Sequence, residues 1–71
     1  MPTAGQRYYR IEGNFEGEVQ TVEVTDVFPE EWGYDGMLLS EGHTNFLDIA
    51  LGIHLSMATW MFNQRFRAVV A

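Results

Sequence analysis

The sequence predicts an α+β domain: an N-terminal antiparallel β-hairpin or three-stranded meander, then one long C-terminal α-helix packed on the sheet. Three observations predict it. Residues 7–28 are rich in strand formers, with Tyr8, Tyr9, Ile11 and Phe15 followed by Val19, Thr21, Val22, Val24, Thr25 and Val27. Residues 29–43 collect proline, glycine and acidic residues. Residues 44–67 are dominated by Leu, Ile, Ala, Met and aromatic residues at helix-compatible spacing.

Each element has its own grounds. Residues 1–6 form a loose start. The hairpin over 7–28 is expected to turn at Glu16-Gly17. That register sets Ile11 against Val22, Tyr9 against Val24 and Arg10 against Glu23, so apolar residues share one face. Segment 29–43 is a loop with a short third strand over 36–40. Pro29 opens a helical turn there, the glutamates at 30 and 31 suit its N-terminus, and Gly33 ends it. Thr44 is the expected N-cap of the helix over 44–67, Asp48 lies near its positive end, and Arg65 and Arg67 complement its C-terminus. Tyr9, Ile11, Val22 and Val24 should then pack on Ile49, Ile53, Met57 and Trp60. The whole is one small domain, residues 1–71.

Charge is sharply segregated. All ten carboxylates lie between Glu12 and Asp48, with no basic residue among them, while Arg7, Arg10, Arg65 and Arg67 lie outside that block. The net charge of −6 argues against direct nucleic-acid binding, which calls for a basic face. At 46% hydrophobic the chain is too apolar for a disordered segment. It has no cysteine, so disulfides and thiolate metal sites are excluded. It has no lysine either, which excludes Schiff-base and P-loop lysine chemistry. No basic n-region with an apolar stretch behind it marks a secretory signal, and the expected location is cytoplasmic.

The run Phe46–Phe62 carries more apolar surface than one helix stripe. On a helical wheel, Asp48, Gly52, Ser56, Thr59 and Asn63 form a narrow polar stripe and the remainder is apolar. The sheet covers one side, which leaves Leu47, Leu51, Leu55, Ala58 and Phe62 as a face for a second copy or another protein. Burial in lipid is the weaker option. The run is 17 residues long, the lower edge for a span, and Asp48 and His54 interrupt it.

The sequence offers no catalytic set. It has no Gly-x-Ser-x-Gly elbow, no phosphate-binding glycine motif, and only two histidines, His43 and His54. His54 is accounted for as a core histidine and His43 as a local partner of Asp48, so no metal, cofactor or enzyme activity is expected. The most informative stretch is Glu30, Glu31, Trp32, Tyr34 and Asp35, where aromatics framed by charge have the composition of a binding hot spot. The same residues serve equally as a cap on the core and a solvated acidic face.

In general style the chain resembles short, acidic, cysteine-free accessory proteins of phages and mobile elements. That resemblance covers no motif and implies only a stoichiometric binder. The expected function is a non-catalytic interaction module, an inhibitor or adaptor, that self-associates and engages an unidentified protein partner. One alternative is an acidic nucleic-acid mimic that blocks a DNA- or RNA-binding protein. The other is a small membrane-associated subunit.

Overall fold

The computed structural model describes residues 2–70 and overturns the long helix. The chain is mostly β. Its elements are β1 (Arg7–Arg10), β2 (Thr21–Phe28), β3 (Glu31–Trp32), β4 (Leu38–Ser40), β5 (His43–Asp48), β6 (Ile53–Ala58), α1 (Thr59–Arg65) and β7 (Phe66–Ala68). Five strands form an antiparallel sheet in the order β6-β5-β2-β1-β7, and β3 and β4 form a separate two-stranded ribbon.

The segment expected to be helical over 44–67 is instead a β-hairpin followed by a seven-residue helix. Thr44 is no N-cap: it is buried in β5, and its hydroxyl lies 2.9 Å from that of Thr59. The hairpin turn is made by Asp48 and Gly52. The Asp48 carboxylate accepts the Leu51 amide at 3.1 Å, its carbonyl accepts the Gly52 amide at 2.8 Å, and Gly52 takes a φ of 68°. A positive φ is incompatible with a right-handed helix and is the usual glycine device for closing a hairpin. The apolar residues of 46–62 are divided among β5, the turn after it, β6 and α1, so they do not surround one helix. Thr44, Phe46 and Asp48 point inward, while His43, Asn45 and Leu47 point outward and are half-buried.

The N-terminal register is also corrected. Arg7 pairs with Glu23, Tyr8 with Val22 and Tyr9 with Thr21. An odd slip relative to the expected pairing exchanges the faces. Tyr8 is therefore buried, and Tyr9 and Ile11 are exposed. The two strands are joined not by a two-residue turn but by residues 11–20, pinned internally. Asn14 Nδ2 donates to the Arg10 carbonyl, and Asn14 Oδ1 accepts the Gln20 amide at 3.2 Å. Residues 2–6 are not loose, and Met1 lies outside the described residues: Gly5 N–H donates to the Val24 carbonyl at 2.7 Å, and the Thr3 amide to the Tyr8 hydroxyl at 2.9 Å.

The core consists of Tyr8, Val22, Val24, Phe46, Phe62 and Phe66. Val22 and Val24 thus face inward as expected, but they pack with this aromatic group and not with Trp60, which is exposed. An irregularity between Val24 and Asp26 lets Val24 and Val27 both reach the core side. Helix α1 lies over the sheet with Phe62 as its buried residue. Phe62 stacks on Phe66 at 4.5 Å and meets the Tyr8 ring edge-on at 5.1 Å.

One polar link ties the long loop to the turn. Gln20 Nε2 donates to Asp48 Oδ2 at 2.6 Å, and Arg10 Nη1 donates to Gln20 Oε1 at 3.1 Å. Asp48 is buried, so it depends on such donors. Gln20→Ala is expected to cost about 1–3 kcal/mol by removing one of them. Urea unfolding should show the loss as a lower midpoint at unchanged slope.

Candidate interaction surface

The five residues Glu30, Glu31, Trp32, Tyr34 and Asp35 fall together on one projecting arm. Strands β3 and β4 pair only with each other, with Glu31 opposite Ser40 and Trp32 opposite Leu38. The expected third strand over 36–40 thus exists in part, as β4, but it belongs to the arm rather than to the main sheet. No helical turn forms after Pro29; residues 31–32 are extended.

The tip is a defined turn. Gly33 N–H donates to the Met37 carbonyl at 2.8 Å, Gly36 has a φ of 79°, and Asp35 Oδ1 accepts the Met37 amide at 3.0 Å. Tyr34, Asp35 and Gly36 therefore make a three-residue hairpin loop with glycine at its left-handed position. Asp35 shapes the turn, and Tyr34 stands fully exposed at its apex.

Every residue from Pro29 to Glu41 is exposed except half-buried Gly33. The arm nevertheless carries five large apolar side chains: Trp32 (59% exposed), Tyr34, Met37 (64%), Leu38 and Leu39 (70%). Trp32 therefore does not cap the core. Glu30, Glu31, Asp35 and Glu41 provide one sign of charge around them. At the base, Trp60 Nε1 donates to Glu41 Oε1 at 2.6 Å. A groove of about 310 Å³ lies there, lined by Phe28, Glu30, Gly42, Thr59, Trp60 and Asn63.

The residues expected on one helix face are dispersed. Leu47 lies on the outer face of β5, opposite His54 of β6. Leu51 is exposed in the β5–β6 turn, Leu55 is in β6, Ala58 ends β6, and Phe62 is 1% exposed in the core. As a helical face the set does not exist, and Phe62 is closed to any partner.

A different apolar feature replaces it. Strand β6 is an edge of the sheet, so one side of its backbone has no strand beside it. Its sequence, Ile-His-Leu-Ser-Met-Ala, contains no proline, lysine or carboxylate. Proteins that keep an edge unpaired usually place such residues there. Ile53 (48% exposed) and Leu55 (41%) share the inward face with Phe46, yet α1 does not cover them. This open edge, and Met37–Leu39 as part of an exposed surface, were not apparent from the sequence.

The chemistry elsewhere is closed or sparse. A cavity of about 610 Å³ beside residues 13–20 is lined by Arg10, Asn14, Gln20 and Asp48, but these groups bond to one another or to nearby backbone. His43 stacks on Phe28 at 4.5 Å and does not cap Asp48; the two alternate to opposite faces of β5. His54 is exposed on β6 and is not a core residue. Among the described residues, no three His, Asp or Glu side chains converge as a metal site. No helix among them is long and apolar enough to cross a membrane.

The molecule exposes more than its mass requires. A compact folded chain of 8.1 kDa has an accessible surface of about 4,500 Å² by the usual size relation, against 5179 Å² here. Its radius of gyration is 13.5 Å, against about 11 Å for a compact chain of this length. The extents of 48 × 23 × 22 Å show elongation in one direction. No protein-family model matches the chain, and no characterised protein or solved structure matches it.

Proposed function

We propose that this protein is a non-catalytic interaction module that assembles with further copies of itself through the arm Pro29–Glu41. The observation that carries this reading is the exposure of Trp32, Tyr34, Met37, Leu38 and Leu39 on a ribbon that its own sheet does not cover. Large apolar side chains left exposed among charged ones are a common mark of a protein-binding surface. The excess surface of roughly 700 Å² is close to what one partner contributes to a standard interface, about 800 Å².

A second copy is favoured as the partner because apolar surface is open at more than one place. The arm lies at one place and the uncovered β6 edge at another, so one chain offers more than one contact. A nucleic-acid mimic fits less well. The arm's carboxylates are interleaved with large apolar side chains, whereas mimicry calls for an acidic surface at phosphate-like spacing.

Tryptophan fluorescence tests the reading. With Trp60→Phe, Trp32 becomes the sole tryptophan reporter. Its emission should shift to shorter wavelength as protein concentration rises and the arm is buried. Emission that stays at the water-exposed position at every concentration contradicts the proposal.

A further inference from the structure

The fold gathers the arginines as well as separating them from the acids. Strand β1 carries Arg7 and Arg10, α1 ends at Arg65, β7 carries Arg67, and β1 and β7 are neighbours. The outer face of this pair is specific in content. Tyr9 lies opposite Arg67, and the Val69 amide donates to the Arg7 carbonyl at 3.0 Å, which extends the same pairing. Tyr9, Arg67, Arg7 and Val69 thus share one face, and none of the four is buried. Ile11, also exposed, continues the apolar part toward the helix end, where its amide donates to the Arg65 carbonyl at 2.8 Å.

Of the two arginines on this face, Arg7 is paired with a carboxylate and Arg67 is not. The one ion pair among the described residues is Arg7–Glu23, at 3.8 Å and well exposed, a kind that contributes little. Arg67 Nη1 donates to the carbonyls of Asn63 and Phe66, which satisfies hydrogen bonds without cancelling charge. On the arm, Glu30, Glu31 and Asp35 have no cationic partner among the described residues.

We infer that the arm of one copy docks on the β1–β7 outer face of the next. This rests on the self-assembly reading and names the receiving surface. The two surfaces match twice over. Apolar side chains framed by carboxylates meet Tyr9 and Val69 framed by arginines, the potential complementarity that steers and orients protein contacts. The arm's own chain does not cover it, so the inferred contact is one made with another copy. Donor and receiver are different patches, so the contact is heterologous, and its repetition closes a ring or continues as a filament.

A charge-swap experiment decides it. Glu30→Arg with Glu31→Arg gives a chain with a basic arm and a basic face. Arg7→Glu with Arg67→Glu gives a chain with an acidic arm and an acidic face. Each alone should sediment as a single chain, while their equimolar mixture should recover assembly, because each arm then meets a face of opposite sign. Wild-type assembly should weaken as salt is raised. If wild type assembles but each variant alone does too, or if mixing restores nothing between two folded variants, the docking inference is overturned while self-assembly stands. If wild type itself stays a single chain, the self-assembly reading falls with it. Circular dichroism establishes folding of each variant. Should the arginine variant unfold, Tyr9→Ser with Val69→Ser tests the same face with both arginines left in place: loss of assembly supports the docking, and retained assembly overturns it.

Discussion

Phe62→Ala is expected to destabilise the domain by about 3–5 kcal/mol. Phe62 is 1% exposed and sits among Tyr8, Phe46 and Phe66, with ring centroids at 5.1, 5.4 and 4.5 Å. It is the buried residue through which the short helix attaches to the sheet. A chain of this length is stable by about 4–10 kcal/mol in total, so the loss takes a large part of that margin and can take all of it. Thermal unfolding followed by circular dichroism should show a midpoint lower by roughly 15–30 °C, or no transition at all. Trp60→Ala, two residues earlier on the same helix but exposed, should cost under about 1 kcal/mol. Equal losses at the two positions would contradict this placement of the core.

The second large effect is expected on assembly rather than on stability. Trp32→Ala with Tyr34→Ala removes the two aromatic side chains of the arm, both exposed in the single chain. Aromatic hot spots cost about 2 kcal/mol or more each when truncated. The pair should therefore weaken self-association on the order of a thousand-fold. Folding should be almost unaffected, because neither side chain supports the core. The reverse pattern, lost folding with retained association in the folded fraction, would place these aromatics in the structure and not in the contact.

The fold places the charged aromatic stretch and the expected helix face differently. Glu30, Glu31, Trp32, Tyr34 and Asp35 were grouped by composition alone, and they lie together because an Asp-Gly turn and two short strands hold them on one ribbon. The Leu47–Phe62 face depended on a helix and dissolved with it. Its residues recur at intervals of three and four and so fit a helical wheel, yet they come from β5, the turn after it, β6 and α1. With Leu, Ala and Met, good helix formers, also present, the run looked apolar nearly all round. The signal that breaks the helix was present as Asp48-Ile49-Ala50-Leu51-Gly52, an acceptor side chain followed by a glycine that closes the turn. On a helical wheel Asp48 and Gly52 fall on the polar stripe, which hides the turn.

The hairpin over 7–28 shows a different limit. Strand composition points to both ends of this segment, where β1 and β2 lie, but Ile11, Phe15 and Val19 fall in the loop between them, and register depends on that connection. A ten-residue loop held by Asn14, Gln20 and Arg10 has no short-turn signature, since its bonds link Asn14 to backbone four and six residues away and join the Arg10 and Gln20 side chains across the loop. One consequence was to place Tyr9 in the core, although its exposure beside Arg67 is what makes the outer β1–β7 face a candidate receiver. The charge segregation was visible from the start. Its meaning changed once β7 was seen to return to β1, which turns arginines at opposite ends of the chain into neighbours.

The central claim is that the arm holds copies of this chain together. Light scattering of wild type and of the Trp32→Ala, Tyr34→Ala variant at the same concentration tests it most directly. Wild type should scatter as a particle of several chains and the folded variant as one of 8.1 kDa or close to it. A wild-type particle of one chain mass, or a variant that scatters like wild type, would contradict it.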